Sequence, residues 1–101
     1  MKIDLKPNEV VTKVSDTKFL NGKSVSGKLI LTNQRLYFKA LENGDHAYNL
    51  EIMPVEIQEV MPFKTGFFTN DGMNIITKNG RELKFKIKQR SSWEASINRI
   101  Y

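Results

Sequence analysis

Cysteine is absent from this chain of 101 residues, and histidine occurs once, at position 46. Disulfide frameworks, thiolate metal sites and cysteine nucleophiles are therefore excluded. With no cysteine and a single histidine, residues needed for the usual catalytic dyads and triads are missing. The P-loop is missing as well, because no glycine-rich stretch stands between a strand and a helix. We expect a protein that is not an enzyme and has no cofactor.

Long hydrophobic runs are also missing. No segment approaches the ~20 apolar residues that span a bilayer, and the start of the chain, MKIDLKPNEV, mixes charges among its apolar residues. We expect a soluble, cytoplasmic protein, and peripheral attachment to a membrane is compatible with this expectation. The acids Glu51, Glu56 and Glu59 lack the Asp-rich spacing of a calcium loop, so no metal site is predicted.

The hydrophobic residues, 40% of the chain, suffice for one core. A domain of this length buries roughly 65% of the surface that its unfolded chain exposes. We therefore expect a single domain over residues 1–101.

The net charge of +5 is unevenly distributed along the chain. Residues 1–39 contain eight Lys/Arg and three Asp/Glu, which gives +5, and residues 40–63 contain five acids and no Lys/Arg, which gives −5. Residues 78–90 contain six basic residues against Glu82 and account for the excess. Such a patch attracts phosphate groups of lipids or nucleic acids, although charge runs on small domains are more often solvated faces.

Turn dipeptides divide the chain into a predicted β-meander, because each accepts the positive φ of a tight turn. They are Asn21-Gly22, Asn43-Gly44, Asp71-Gly72 and Asn79-Gly80. Between them, runs rich in Val, Ile, Phe, Tyr and Thr alternate with a period near two. The predicted strands are 9–19, 23–32, 35–41, 46–53, 57–64, 73–78 and 81–88.

The stretch GKLILTNQRLYFKA, residues 27–40, has a polar step between two apolar runs. Alternate residues on each side of the step share one face of a strand, which predicts two antiparallel strands. They are Val25, Gly27, Leu29 and Leu31 before the step, and Leu36, Phe38 and Ala40 after it. We expect Asn33 and Gln34 at the centre of a turn, since asparagine tolerates left-handed backbone angles. The step is interpreted as a structural corner.

The stretch RELKFKIK alternates cleanly. Leu83, Phe85 and Ile87 are predicted to face the core, and Lys84, Lys86 and Lys88 to face outward. A structural explanation for these lysines needs no ligand: like charges on a strand discourage edge-to-edge aggregation.

The end of the chain, SSWEASINRIY, changes to a helical pattern. Ser91 and Glu94 have the spacing of a capping box, and an apolar stripe follows at helical offsets. Its members are Trp93, Ile97, Ile100 and Tyr101. Because so short a helix is marginal alone, we expect it to dock on the sheet with Trp93 as the anchor.

The corner stretch resembles the G-x-L-x-L-T-x-x-R-L-x-F signature of the GRAM domain family. The matching residues are Gly27, Leu29, Leu31, Thr32, Arg35, Leu36 and Phe38. Pro54, Ile57 and Val60 are similar to that family's turn into strand five, and IITKNGRELKFKI is similar to its late hairpin. The resemblance covers nearly the whole chain and suggests a single-domain member of the bacterial type.

The resemblance implies a mainly β, pleckstrin-homology-like fold: a seven-stranded antiparallel, partly open barrel capped by one C-terminal α-helix. It also implies binding to protein partners or to anionic lipids, with a headgroup site among the loops joining strands one and two, three and four, and six and seven. Those loops supply Lys18 and Lys23, then Glu42, Asp45 and His46, then Lys78 and Arg81. The acids of the middle loop would repel a multiply charged headgroup, which argues against specific phosphoinositide recognition.

The function expected is therefore a non-enzymatic module for protein interaction or weak anionic-lipid binding. The candidate site residues are Lys18, Lys23, Lys78, Arg81, Lys84, Lys86, Lys88, Phe67 and Phe68. An exposed ring at Phe67 or Phe68 beside Lys64 would suit a membrane interface or an apolar pocket on a partner. The alternatives are a small basic barrel that binds nucleic acid and a purely structural or oligomerising domain. Nucleic acid ranks lower because Phe85 and Trp93, the aromatic residues near the patch, are assigned to the core.

Overall fold

A computed structural model of the protein describes residues 5–20, 22–41, 48–64 and 71–101. These ranges contain the seven predicted strands, a 3₁₀ turn at Pro54–Glu56 and one α-helix. The strands are β1 Val11–Leu20, β2 Ser24–Thr32, β3 Leu36–Ala40, β4 Leu50–Ile52, β5 Ile57–Phe63, β6 Gly72–Thr77 and β7 Glu82–Ile87. The helix α1 is Arg90–Asn98.

The strands form one antiparallel sheet in the order β4-β3-β2-β1-β7-β6-β5. Two meanders, β1 to β4 and β5 to β7, join where β7 pairs with β1. Within the described residues β4 and β5 do not pair with each other, so the sheet is a partly open barrel. The predicted pleckstrin-homology-like architecture is confirmed.

Six of the seven predicted strands are longer than the observed ones, and the first and the fourth differ most at their starts. The first was expected from residue 9, but Glu9 and Val10 lie outside β1, which begins at Val11. The fourth was expected over 46–53, and its described part is limited to Leu50–Ile52. The first difference has a physical cause, since Glu9 forms side-chain contacts with the β2–β3 corner.

The core lies on the concave face, where the predicted alternation is confirmed. The predicted inward residues of β2, β3 and β7 are all buried. The rings of Phe19, Phe38 and Phe85, from β1, β3 and β7, pack together with centroids 5.2 to 5.8 Å apart. Gly27 permits this packing, because a Cβ there would lie 2.5 Å from the Phe38 ring.

The turn predictions have mixed outcomes. Gly22 (φ 75°) and Gly80 (φ 90°) adopt the expected positive φ, whereas Asn43-Gly44 lies outside the described residues. Asp71-Gly72 is not a turn, because Gly72 begins β6; a Cβ there would lie 2.9 Å from the ring of Phe63. Asn33 and Gln34 lie at the centre of the β2–β3 turn as predicted, but without a left-handed angle, since the described non-glycine residues with positive φ are Asn8 and Gln89.

The helix docks as predicted but begins differently. Trp93 and Ile97 are buried against β5 and β6, whereas Tyr101, predicted on the apolar stripe, is 43% exposed. The Ser91–Glu94 capping box is wrong because the helix starts earlier, at Arg90, after a left-handed Gln89 with no side-chain cap. Glu94 instead accepts a hydrogen bond from Arg90 Nη1 at 3.1 Å.

We predict that Trp93→Ala lowers the free energy of unfolding by about 3–5 kcal/mol, because it removes a fully buried indole from the core. Urea denaturation measures the loss. The control Tyr101→Ala, at an exposed position, should change stability by about 0.5 kcal/mol or less. An unmoved midpoint for Trp93→Ala would contradict the docking of the helix.

Candidate functional site

Four lysines make up what we call the basic face: Lys18, Lys84, Lys86 and Lys88. Lys18 of β1 lies directly opposite Lys86 of β7, and Lys84 lies opposite Leu20. Lys18, Lys86 and Lys88 are exposed and Lys84 is half-buried. The ion pairs found among the described residues involve none of these four side chains.

The structural explanation predicted for these lysines is wrong, because β7 is not an edge strand. It pairs with β1 on one side and β6 on the other, while β4 and β5 form the edges of the sheet. Like charges placed directly across a strand pair are destabilising. Lys84 has a local packing role, with its ammonium 5.8 Å from the Phe63 ring. The facing pair Lys18 and Lys86 has no such explanation.

An open groove of about 400 Å³ runs along the basic face. Its lining includes the ammonium-bearing residues Lys18, Lys86 and Lys88, the exposed Leu41, and the acids Asp16 and Asp71. Asp16 is paired with Lys28 at 2.5 Å, and Asp71 is also engaged in interactions of its own. The groove is therefore suited to an anionic group or surface.

The other predicted basic residues lie at one end of the sheet. Lys78 and Arg81 are exposed at the β6–β7 turn, and Lys23 is exposed ahead of β2 with its ammonium 5.1 Å from the Tyr48 ring. Because β1 and β7 are antiparallel neighbours, these two turns share an end. Lys18 was expected in the first loop, but it lies inside β1 and belongs to the basic face.

The remaining predicted site residues fall outside the described ranges. These are Phe67 and Phe68, together with Glu42, Asp45 and His46 of the middle loop. Lys64, expected beside the two phenylalanines, is exposed just after β5. The role of the two rings at an interface stays a prediction.

The corner contains a buried ion pair that sequence reasoning missed. Arg35 Nε and Nη2 donate to the two carboxylate oxygens of Glu9, each at 2.7 Å, and Nη1 donates to Glu51. Arg35 and Glu9 are each only 5% exposed. The available signal was the Thr-x-x-Arg spacing, which did not identify the acid that Arg35 binds.

Thr32 completes this corner. Its hydroxyl donates to Glu9 Oε2 at 2.7 Å and accepts from the backbone N–H groups of Gln34 and Arg35 at 3.0 Å. Asn33 Oδ1 accepts from the Val10 N–H at 2.8 Å, which ties the N-terminal segment to the turn. The expectation that residues 32–35 connect two antiparallel strands is confirmed.

The hydrogen bonds from Arg35 lower the pKa of Glu9 to about 2, and they outweigh the burial that would raise it. The same pair raises the pKa of Arg35. Burial raises the pKa of Tyr37, whose ring lies 4.5 Å from the Arg35 guanidinium. The charged and polar side chains of the corner thus form ion pairs and hydrogen bonds with one another. We therefore interpret the corner as structural.

In the described part of the chain, no three His, Cys, Asp or Glu residues converge in a way that could hold a metal ion. The described helix is too short and too polar to cross a membrane.

The family model for the GRAM domain matches residues 1–100. No curated protein matched the sequence. Among solved structures, the C-terminal domain of an unknown protein from Leishmania infantum superposes with a TM-score of 0.78 at 16% identity, covering 90% of this chain and 83% of that one. The Vps36 N-terminal PH domain gives 0.68 at 15% identity, covering 95% and 84%. At these identities, the likeness shows the fold.

We predict that the Glu9–Arg35 pair makes stability depend on acid pH. The pKa of Glu9 falls from 4.5 to about 2 on folding, so its contribution is complete above pH 4.5 and is lost as the pH falls through 2. Glu9→Gln should therefore be less stable than the parent at pH 6, with a gap that narrows toward pH 2. Urea midpoints across this range measure it, with the exposed Glu59→Gln as the control. A gap independent of pH would contradict the assignment.

We also predict that Thr32→Val costs about 1–3 kcal/mol, because the buried N–H of Arg35 and the part-buried N–H of Gln34 lose their acceptor. Thr32→Ser keeps the hydroxyl and should retain most of this stability. Thermal or urea unfolding of the pair separates the hydroxyl from the methyl group. Equal stability of the Val and Ser variants would show that the hydroxyl is not needed.

Proposed function

Because the chain belongs to the GRAM domain family and has a PH-like fold, we propose that it docks on anionic membrane surfaces through the basic face. Domains of this kind are as a rule non-catalytic modules that bind lipids or proteins. The observation that carries the proposal is the facing pair Lys18 and Lys86 on interior strands. An anionic group in the adjoining groove would relieve their repulsion.

The arrangement favours a weak, reversible contact. An exposed lysine near an anionic membrane contributes about 1 kcal/mol, and salt screens this attraction over about 8 Å at physiological ionic strength. Lys18, Lys86 and Lys88 project from an open groove rather than an enclosed pocket. We therefore propose recognition of surface charge, and not of one particular headgroup.

Nucleic acid remains the weaker candidate. Proteins that bind single strands stack bases on exposed aromatic rings beside basic residues. Phe85 and Trp93 are at most 1% exposed, and the ring of Phe63 is half-buried beside Lys84. These described rings offer little stacking surface.

We predict that the variant Lys18→Gln/Lys86→Gln binds vesicles containing phosphatidylserine roughly thirtyfold more weakly than the parent, since it removes two contributions of about 1 kcal/mol each. Vesicle co-sedimentation measures this, and parental binding should also weaken steeply with added salt. The fold should persist because both side chains point away from the core.

The matched control is Lys6→Gln/Arg99→Gln, which changes net charge equally at exposed positions off the basic face. It should bind nearly as the parent does. Equal parental binding to neutral phosphatidylcholine vesicles, or full binding by the Lys18/Lys86 variant, would refute the proposal. If the protein binds a single-stranded oligonucleotide more tightly than vesicles, the function is nucleic-acid binding and not membrane docking.

A further inference from the structure

A second cavity, of about 290 Å³, lies between the beginning of β1 and the end of α1. Its walls include Thr12, Lys13, Leu31, Ser96, Arg99 and Ile100. Lys13 belongs to the face of β1 that carries Thr17 and Phe19, whereas Lys18 is on the other face. The cavity is therefore separate from the groove of the basic face.

Lys13 is a cation on the concave side of the sheet. It pairs in register with the buried Leu31, and its ammonium lies 5.6 Å from the Trp93 ring. Nζ donates to Ser92 Oγ at 2.5 Å and approaches Ser96 Oγ at 3.5 Å. These partners are all neutral, and the ion pairs of the described residues do not include Lys13. Among the described residues, the half-buried Lys13 is thus left without an anion that compensates its charge.

Arg99 supplies a second cation at the same cavity. A cation at a helix C-terminus is favourable in itself, because the helix end carries about half a negative charge. That effect accounts for Arg99 but leaves Lys13 unexplained. None of the described residues that line the cavity is an acid, and Leu31 and Ile100 belong to its apolar wall.

We propose that this cavity binds a small carboxylate with a short apolar body. The carboxylate accepts hydrogen bonds from Lys13 and Arg99, and the apolar body lies against Leu31 and Ile100. The volume of about 290 Å³ lies just below the ~300–1,000 Å³ typical of ligand pockets, which restricts the ligand to a small molecule. The negative helix end disfavours a dianionic phosphate more than a monoanionic carboxylate.

Trp93 is the only tryptophan of the chain, so its fluorescence reports on the cation above it. The probe is hexanoate, compared with hexanol, which lacks the charge, and with inorganic phosphate, which lacks the apolar body. We expect a saturable fluorescence change with hexanoate alone. Lys13→Met, which keeps an unbranched stem over the indole, should weaken hexanoate binding at least tenfold.

The second variant is Arg99→Gln. Because residue 99 is exposed, this variant should keep the fold of the parent. It should also weaken hexanoate binding, whereas Lys18→Gln/Lys86→Gln should leave it unchanged. The proposal is overturned if hexanol gives the same fluorescence change as hexanoate, if phosphate gives a change, or if hexanoate gives no saturable change. It is also overturned if Lys13→Met and Arg99→Gln both bind hexanoate with the affinity of the parent. Vesicle binding by the basic face is measured separately, so either proposal can fail alone.

Discussion

The path of the chain depends on one buried ion pair, between Glu9 and Arg35. Removing two charges from water is costly, and the attraction offsets this cost only when the geometry is good. Here two parallel hydrogen bonds of 2.7 Å join the guanidinium to one carboxylate, and Thr32 binds the same carboxylate. Since Arg35 also binds Glu51 of β4, one side chain connects the N-terminal segment, the β2–β3 corner and an edge strand.

Local patterns predicted what local physics determines. The period of two assigned the inward faces of β2, β3 and β7 because each strand has one buried side, and the apolar stripe placed Trp93 and Ile97 against the sheet. The Glu9–Arg35 pair joins residues 26 positions apart, and a charged residue at a strand end does not show which opposite charge it will meet. The early helix start likewise follows the left-handed Gln89, and positive φ at a residue other than glycine is not signalled by the sequence.

The candidate site shows the same limit. Alternation in RELKFKIK predicted an outward row of lysines, but it could not show whether that row lies at an edge or inside the sheet. That distinction depends on the long-range pairing of β7 with β1. Because of this pairing, Lys18 lies opposite Lys86 and not in the first loop, where it was expected. The two lysines are therefore interpreted as a facing pair of like charges. Charges that protect an edge need no ligand, whereas facing like charges on interior strands repel each other, and this repulsion is the basis of the proposed anion contact.

The two proposed sites follow from how β1 is paired. β2 accompanies β1 along nearly its whole length, but β7 pairs only with Thr17–Leu20. In this paired half the outer face brings Lys18 beside Lys86. Ahead of it, no β7 residue pairs with Lys13, and the short helix α1 covers that side of the sheet instead. A helix of nine residues cannot fill the opening completely, so a cavity remains beside Lys13 where its last turn ends. The same partial pairing therefore leaves an exposed basic surface on one face of β1 and, on the opposite face, a cavity bordered by Lys13 and Arg99.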